Sequence, residues 1–190
     1  MGRPKQLVPI HGQPMLRAVI DPLTGCHCIN DITVVTNSLV MSELDLDGLD
    51  VSVVINDDPD AEMIDSIRVG IDDLQRRQTV EPGEGVLICP GDLPGLCVDD
   101  LTTLCVAFVR HPERLIVASH GGKRGHPLIV PASCIPLVMS EACNAGLRCL
   151  MELMSECLML IETPNPAVLR NINTPEDLAR MAGPDESETT

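Results

Sequence analysis

The chain has 190 residues with a hydrophobic fraction of 44%, which suits one globular domain and argues against general disorder. Only 13 Lys and Arg face 28 Asp and Glu, and Phe108 is the one aromatic residue. A nucleic-acid binder needs a basic stripe and, for single strands, stacking platforms, so both counts argue against that class.

The core must be aliphatic, filled by Leu, Ile, Val, Met and Cys. At a net charge of −15, a protein that handles phosphates needs local cations or a divalent metal to offset its own field. The nine cysteines are odd in number and mostly sit inside apolar runs (Cys89, Cys105, Cys149, Cys157). That reads as reduced, buried thiols in a cytoplasmic protein. Cys26-His27-Cys28 has no second ligand pair at zinc-finger spacing and reads as structural. No apolar run reaches the ~18 residues of a membrane span, and no targeting segment is read.

In chain order, residues 14–23 read as a helix after a Gly12-Gln13 turn, with Pro14 at its first position. Residues 32–36 (ITVVT) and 51–55 (VSVVI) read as buried strands. Residues 63–77 carry Met63, Ile67, Ile71 and Leu74 on one helical face. A strand over 86–89 (VLIC), a helix over 99–110 with acidic residues at its start, and a strand over 115–118 (LIVA) follow. Residues 127–130 are a short extended run, 146–154 a helix and 158–162 a strand. Within 150–160, Met and Cys alternate with Leu, which reads as core in preference to a partner surface. Thr174 caps a last helix, with Pro175 at its first position and Asp177 three residues after the cap. Residues 183–190 are an acidic, polar tail. Strand and helix alternate at a spacing that predicts one α/β domain over residues 1–182, its mostly parallel sheet covered by helices on both faces. No repeat and no linker divides it.

Four segments carry chemistry. Met1-Gly2-Arg3-Pro4-Lys5 places glycine beside two cations, a means of holding phosphates through close backbone amides and a point charge. Pro90-Gly91-Asp92-Leu93-Pro94 follows a strand directly. Ligands in open α/β sheets bind outside the carboxyl ends of the strands, so Asp92 is a candidate ligand for a hard cation such as Mg²⁺; a plain turn reads equally well. Gly121-Gly122-Lys123-Arg124-Gly125-His126-Pro127 sets two cations and an imidazole in a flexible glycine loop suited to an anionic substrate. Asn171-Ile172-Asn173 puts two amides on one side of an extended segment, where either oxygen could complete a metal site opposite Asp92.

These four segments, in this order, resemble the MobA-like nucleotidyltransferases, and among them the molybdopterin cytidylyltransferases. Such proteins open with a strand and a loop of the form LAAGxSxRMGxPK. They continue with LLPxxGxPxL, a GMxxSLxxGL helix, DxP, GRRGHP and DIDTPEDL. This chain offers MGRPKQLVPIHGQPML, then MIDSIRVGI, PGDLP, GKRGHPLIVP and NINTPEDL. The likeness covers nearly the whole chain and is most specific in KRGHP and NTPEDL. It departs at the opening strand and the LAAGxSxR part of the loop, which are missing. It departs also at Glu62, which stands where a glycine is usual, and at Asn171 and Asn173, which replace two aspartates; NINTP is similar to the guanylyltransferase branch.

The resemblance implies a three-layer, Rossmann-like fold and a reaction of CTP with molybdopterin cofactor that yields the dinucleotide cofactor and pyrophosphate. It implies Gly2, Arg3, Lys5 and Ser66 on the nucleotide, and Lys5 and Asp92 as the catalytic pair. Lys123, Arg124 and His126 would lie on the acceptor side, with Mg²⁺ on Asp92 and Asn173. A molybdoenzyme receiving the cofactor is a further implied partner. Two alternatives stay open: GTP or another NTP used on another small phosphate, and a non-catalytic protein that binds or delivers molybdenum cofactor. A sheet without its first strand is expected to expose unpaired backbone groups and apolar neighbours. A start codon placed too late, a fragment or a decayed relative would each explain it.

Overall fold

A computed structural model describes residues 4–174 and 176–178. The chain enters through a short 3-10 turn, Lys5–Leu7, and a two-residue hairpin, β1 (Pro9–Ile10) with β2 (Gln13–Pro14), made by His11 and Gly12 at positive φ. Helix α1 (Met15–Thr24) follows, its apolar residues spaced to bury Met15, Leu16, Val19, Ile20 and Leu23. Strand β3 (Thr33–Thr36) pairs in parallel with β4 (Ser52–Ile55), joined through α2 (Ser38–Glu43). Asn37 caps α2 by accepting from the Val40 N–H at 2.8 Å.

Helix α3 (Met63–Arg77) occupies the interval read from the sequence. Its buried face starts one residue later than expected: Ile64 and Ile71 are buried with Ile67 packed beside them, whereas Met63 is 53% exposed. Positions 64, 67 and 71 are the i, i+3, i+7 stripe that faces the sheet. Strand β5 (Gly85–Ile88), α4 (Val98–Arg110), β6 (Leu115–His120), β7 (Lys123–Pro131), the short α5 (Ile135–Val138), α6 (Leu147–Leu153) and β8 (Leu158–Glu162) complete the described elements. In the Met-rich stretch Leu150 is buried and Met151 and Met154 pack on the core, while Leu153 is exposed.

The second half forms a four-stranded sheet in the order β5-β7-β6-β8. β6 and β8 are parallel, and β7 runs against both β5 and β6. Alternation along the strands separates two layers. Leu115 and Val117 pack with Leu128 and Val130 against α3, α5 and α6. Ile116, Ala118 and Ile129 face Leu104, Cys105 and Phe108 of α4, with Val168 closing that side. This is the expected α/β class with helices on both faces, and β7 makes the sheet mixed. Gly85 is required by packing: a Cβ there would lie 2.6 Å from the Phe108 ring and 2.9 Å from the Val130 carbonyl oxygen.

Among the described residues β3 pairs only with β4, and β5 only with β7. The free edges of β3 and β5 border one cavity of about 490 Å³, lined by Thr33 and Val35 on one side, Val86 and Ile88 on the other, and Gly70 and Ile71 of α3 beneath. Thr33, Val35, Val86 and Ile88 are each half-buried there. No helix among the described residues is long and apolar enough to cross a membrane.

Candidate active site

Asp92 leaves the carboxyl end of β5 through Pro90-Gly91, the side where open α/β sheets place their ligands. Its carbonyl accepts from the Ile172 N–H at 2.8 Å, which draws residues 171–173 across the loop. Its carboxylate is then shared: Oδ1 accepts from Asn171 Nδ2 at 3.1 Å and Oδ2 from Lys5 Nζ at 2.6 Å. Lys5 Nζ also donates to Asn173 Oδ1 at 3.0 Å. The 3-10 turn that carries Lys5 is anchored by Leu7, 2% exposed. Three segments far apart in sequence thus meet on one ammonium. The Lys5 and Asp92 side chains are 34% and 13% exposed, so the pair lies at the rim of the site, open to an incoming anion on the lysine side.

His126 stands beside Asp92. Burial pushes its imidazole below the ordinary histidine value, with the Asp92 charge pulling the other way. Its Nδ1 is buried and, among the described residues, meets no hydrogen-bond partner. Its peptide bond to Pro127 is cis. An imidazole nitrogen left without a partner beside a carboxylate is unusual, since buried polar groups are ordinarily hydrogen-bonded. Cys89 precedes the Asp92 loop, and burial, then the Asp92 charge, pushes its thiol up to about 12. It is inert packing there.

Lys123 and Arg124 lie outside the flexible loop expected for them. Only Gly121 and Gly122, both at positive φ, form the turn, and β7 begins at Lys123. His120 pairs with Lys123 and Ser119 with Arg124, so both cations project from a hairpin tip, exposed. The tip is fastened by a residue that sequence reasoning missed. The Glu162 carboxylate accepts from the N–H groups of Gly121 and Gly122 and from Ser119 Oγ. Those bonds, the one from Gly121 first, hold the carboxyl below its usual range. No local pattern marks an acid at the end of a strand for this task.

Ser66 lies in the first turns of α3, where its Oγ accepts from Asn56 Nδ2 at 3.4 Å and the residue lines the cavity between the sheets. No bond joins it to the Lys5–Asp92 cluster among the described residues. Gly2 and Arg3 fall outside the described residues. The Asn171 amide turns its N–H toward Asp92, so Asn173 supplies the oxygen of the pair. Thr174 and Asp177 cap the last helix reciprocally, at 3.1 and 3.0 Å, as read from the sequence.

Asp92 Oδ2 and Asn173 Oδ1 already converge on a cation, the Lys5 ammonium, and both are hard oxygen donors. That donor set fits Mg²⁺ or Mn²⁺ once phosphate oxygens and waters fill the remaining positions. Among the described residues no group of three or more His, Cys, Asp or Glu is placed to hold a metal by itself.

A protein of Nostoc sp. named a probable molybdenum cofactor guanylyltransferase is 32% identical over 103 residues, 53% of this chain and 50% of that one. One of the same name from Rhodopirellula baltica is 33% identical over 97 residues, 50% of this chain and 46% of that one. The chain thus spans about half the length of the curated relatives it matches. Among solved structures, 4-diphosphocytidyl-2C-methyl-D-erythritol synthase superposes with a TM-score of 0.77 at 14% identity, covering 94% of this chain and 93% of that one. A Mycobacterium tuberculosis protein in complex with manganese gives 0.68 at 21% identity, over 95% and 92%. The family model of the MobA-like NTP transferase domain matches residues 1–158, and the chain belongs to that family.

Proposed function

We propose that the chain transfers a nucleotidyl group from a nucleoside triphosphate to the terminal phosphate of a molybdopterin cofactor, releasing pyrophosphate. The observation that carries this reading is the meeting of Lys5, Asp92 and Asn173 at the carboxyl end of β5, with His126 alongside. An acceptor phosphate oxygen attacks the α-phosphorus, and the bond to the β-phosphate oxygen breaks in line. No covalent enzyme intermediate is needed, so positioning and charge neutralisation do the catalysis.

Lys5, with Arg3 and the Gly2 backbone, holds the triphosphate and the departing pyrophosphate. Ser66 meets the nucleotide from α3. Lys123 and Arg124 attract the acceptor at the hairpin tip, and the His126 imidazole orients it. Asp92 and Asn173 would hold the divalent ion, which when bound supplies positive charge to the phosphate oxygens. Two donor bases have support. The names of the curated relatives favour GTP, as does NINTP at residues 171–175, while the overall resemblance noted in the sequence favours CTP. A molybdoenzyme that takes the finished cofactor is the expected downstream partner.

The test is pyrophosphate release by the purified chain with Mg²⁺, molybdopterin cofactor and GTP or CTP in turn. Release with one nucleotide establishes the reaction and its base together. Folded protein that releases none but binds the cofactor would replace this reading with a delivery role.

A further inference from the structure

The Lys5 ammonium sits where a divalent cation has to sit. It takes Asp92 Oδ2 at 2.6 Å and Asn173 Oδ1 at 3.0 Å, the two oxygens the preceding reading gives to the metal. Mg²⁺ binds oxygen at about 2.0–2.1 Å and tolerates little departure from octahedral geometry. An ion on these oxygens would stand within roughly 3 Å of the ammonium nitrogen, and like charges that close repel strongly. The lysine and the ion therefore exclude one another. Asn171, the third residue on Asp92, gives no relief, because its N–H side is already turned to Oδ1.

From this geometry we propose that Lys5 is a built-in competitor for the divalent cation, a latch that keeps the metal site closed until an anion draws the lysine away. The anion that does so is the triphosphate of the nucleotide, so this inference rests on the nucleotidyltransferase reading. The two binding events are then coupled. Nucleotide pulls Lys5 off Asp92 and uncovers the metal oxygens, and by reciprocity metal on Asp92 frees Lys5 for phosphate. Lys5 is suited to the exchange. Its side chain is one-third exposed and long, Leu7 is the buried residue of its turn, and an ammonium is a compact point charge with no preferred fork. Asp92, far less exposed and held through its carbonyl by the Ile172 N–H, stays in place.

The test measures Mn²⁺ binding to the full chain by the loss of the free-ion electron paramagnetic resonance signal, without nucleotide. Lys5→Met keeps most of the stem and removes the charge. It is expected to bind Mn²⁺ at least tenfold more tightly than wild type, and adding Asp92→Asn to it should abolish the gain. Arg148→Met removes a positive charge from an exposed helix face, where Arg148 bonds only to Glu152 among the described residues, and is expected to change nothing. In wild type, a nonhydrolysable nucleotide should tighten Mn²⁺ binding, and in Lys5→Met that tightening should shrink. Equal Mn²⁺ affinity in wild type and Lys5→Met would overturn the latch. If Asp92→Asn alone still weakened binding, the metal assignment would survive that failure. Mn²⁺ binding indifferent to Asp92 would remove both.

Discussion

At Gly125 a Cβ would lie 2.2 Å from the Val168 carbonyl oxygen and 2.8 Å from its carbon. Both are backbone atoms, and Val168 is fully buried, so nothing flexible can give way. Gly125→Ala is therefore expected to lower stability by about 2–3 kcal/mol, as overpacking does, and to displace His126 next to it; urea unfolding reads the first effect. Asp92→Asn keeps the shape and removes the charge, so pyrophosphate release should fall on the order of 10²-fold or more while the unfolding midpoint stays close to wild type. His126 has a pH signature. Its folded-state value lies below the ordinary 6.5 because it is buried. The unfolded chain thus binds the proton first, and stability declines as pH falls below about 6.5, levelling off once the folded-state value is passed. Thermal midpoints between pH 7.5 and 5.5 should drop more steeply for wild type than for His126→Gln. Lys5, Asp92 and Asn173, which the structure brings together, were each singled out as candidates because each sits in a short motif. The placing of half-buried His126 near the Asp92 charge was not legible, since the two are distant in sequence.

The β6–β7 hairpin is the element that carries the acceptor-side cations, and its rigidity comes from elsewhere in the chain. Glycines at 121 and 122 suggested looseness, but the Glu162 carboxylate accepts from both of their N–H groups and from Ser119 Oγ, across about forty residues of sequence. Composition cannot reveal such a clamp, because one acid at a strand end looks like any other. Glu162→Gln leaves an amide that can accept only through its single oxygen. Faster hydrogen exchange is expected at Gly121, Gly122 and Arg124, with a several-fold rise in the acceptor KM and little change in kcat. A fall in kcat with KM unchanged would place Glu162 in the chemistry instead. Element positions were more legible than this. Helix α3 and β8 coincide with their sequence intervals, because a long amphipathic period and a short apolar run are local signals. The exception, Met63 outside the buried stripe, concerns a first-turn residue where the period has too few repeats to fix the face. α3 is also tied down by Arg68, which donates to the carbonyls of Val138 at 3.0 Å and Ser140 at 2.6 Å.

At the scale of the molecule, the two sheets face each other across one cavity, with β3 and β5 on either side. β3 runs antiparallel to α3. Arg77 at the end of α3 reaches Thr33 at the start of β3 and Gly70 packs on Val35, while Ser66, near its start, meets Asn56 just past β4. β5, which begins after α3 ends, lies over Ile71 and Ile64. A strand between β3 and β5 would present its backbone to both free edges. The slot is expected to accept an extended apolar segment of about four to six residues. No sequence pattern marks the place of this gap; it follows from β3 pairing with β4 and β5 with β7. Consider the chain extended by six alternating valines and alanines through a four-residue Gly-Ser linker, beside a version with six glycines and serines. The apolar extension should slow hydrogen exchange across β3 and β5 and raise the thermal midpoint by several degrees, and a proline at its centre should undo both, because proline cannot donate to the ladder. If the apolar and Gly-Ser versions exchange alike, the slot does not bind a strand. If β3 and β5 are already as protected as β6 in the unextended chain, the two edges close on each other in solution, and the cavity between them is not a place for another segment.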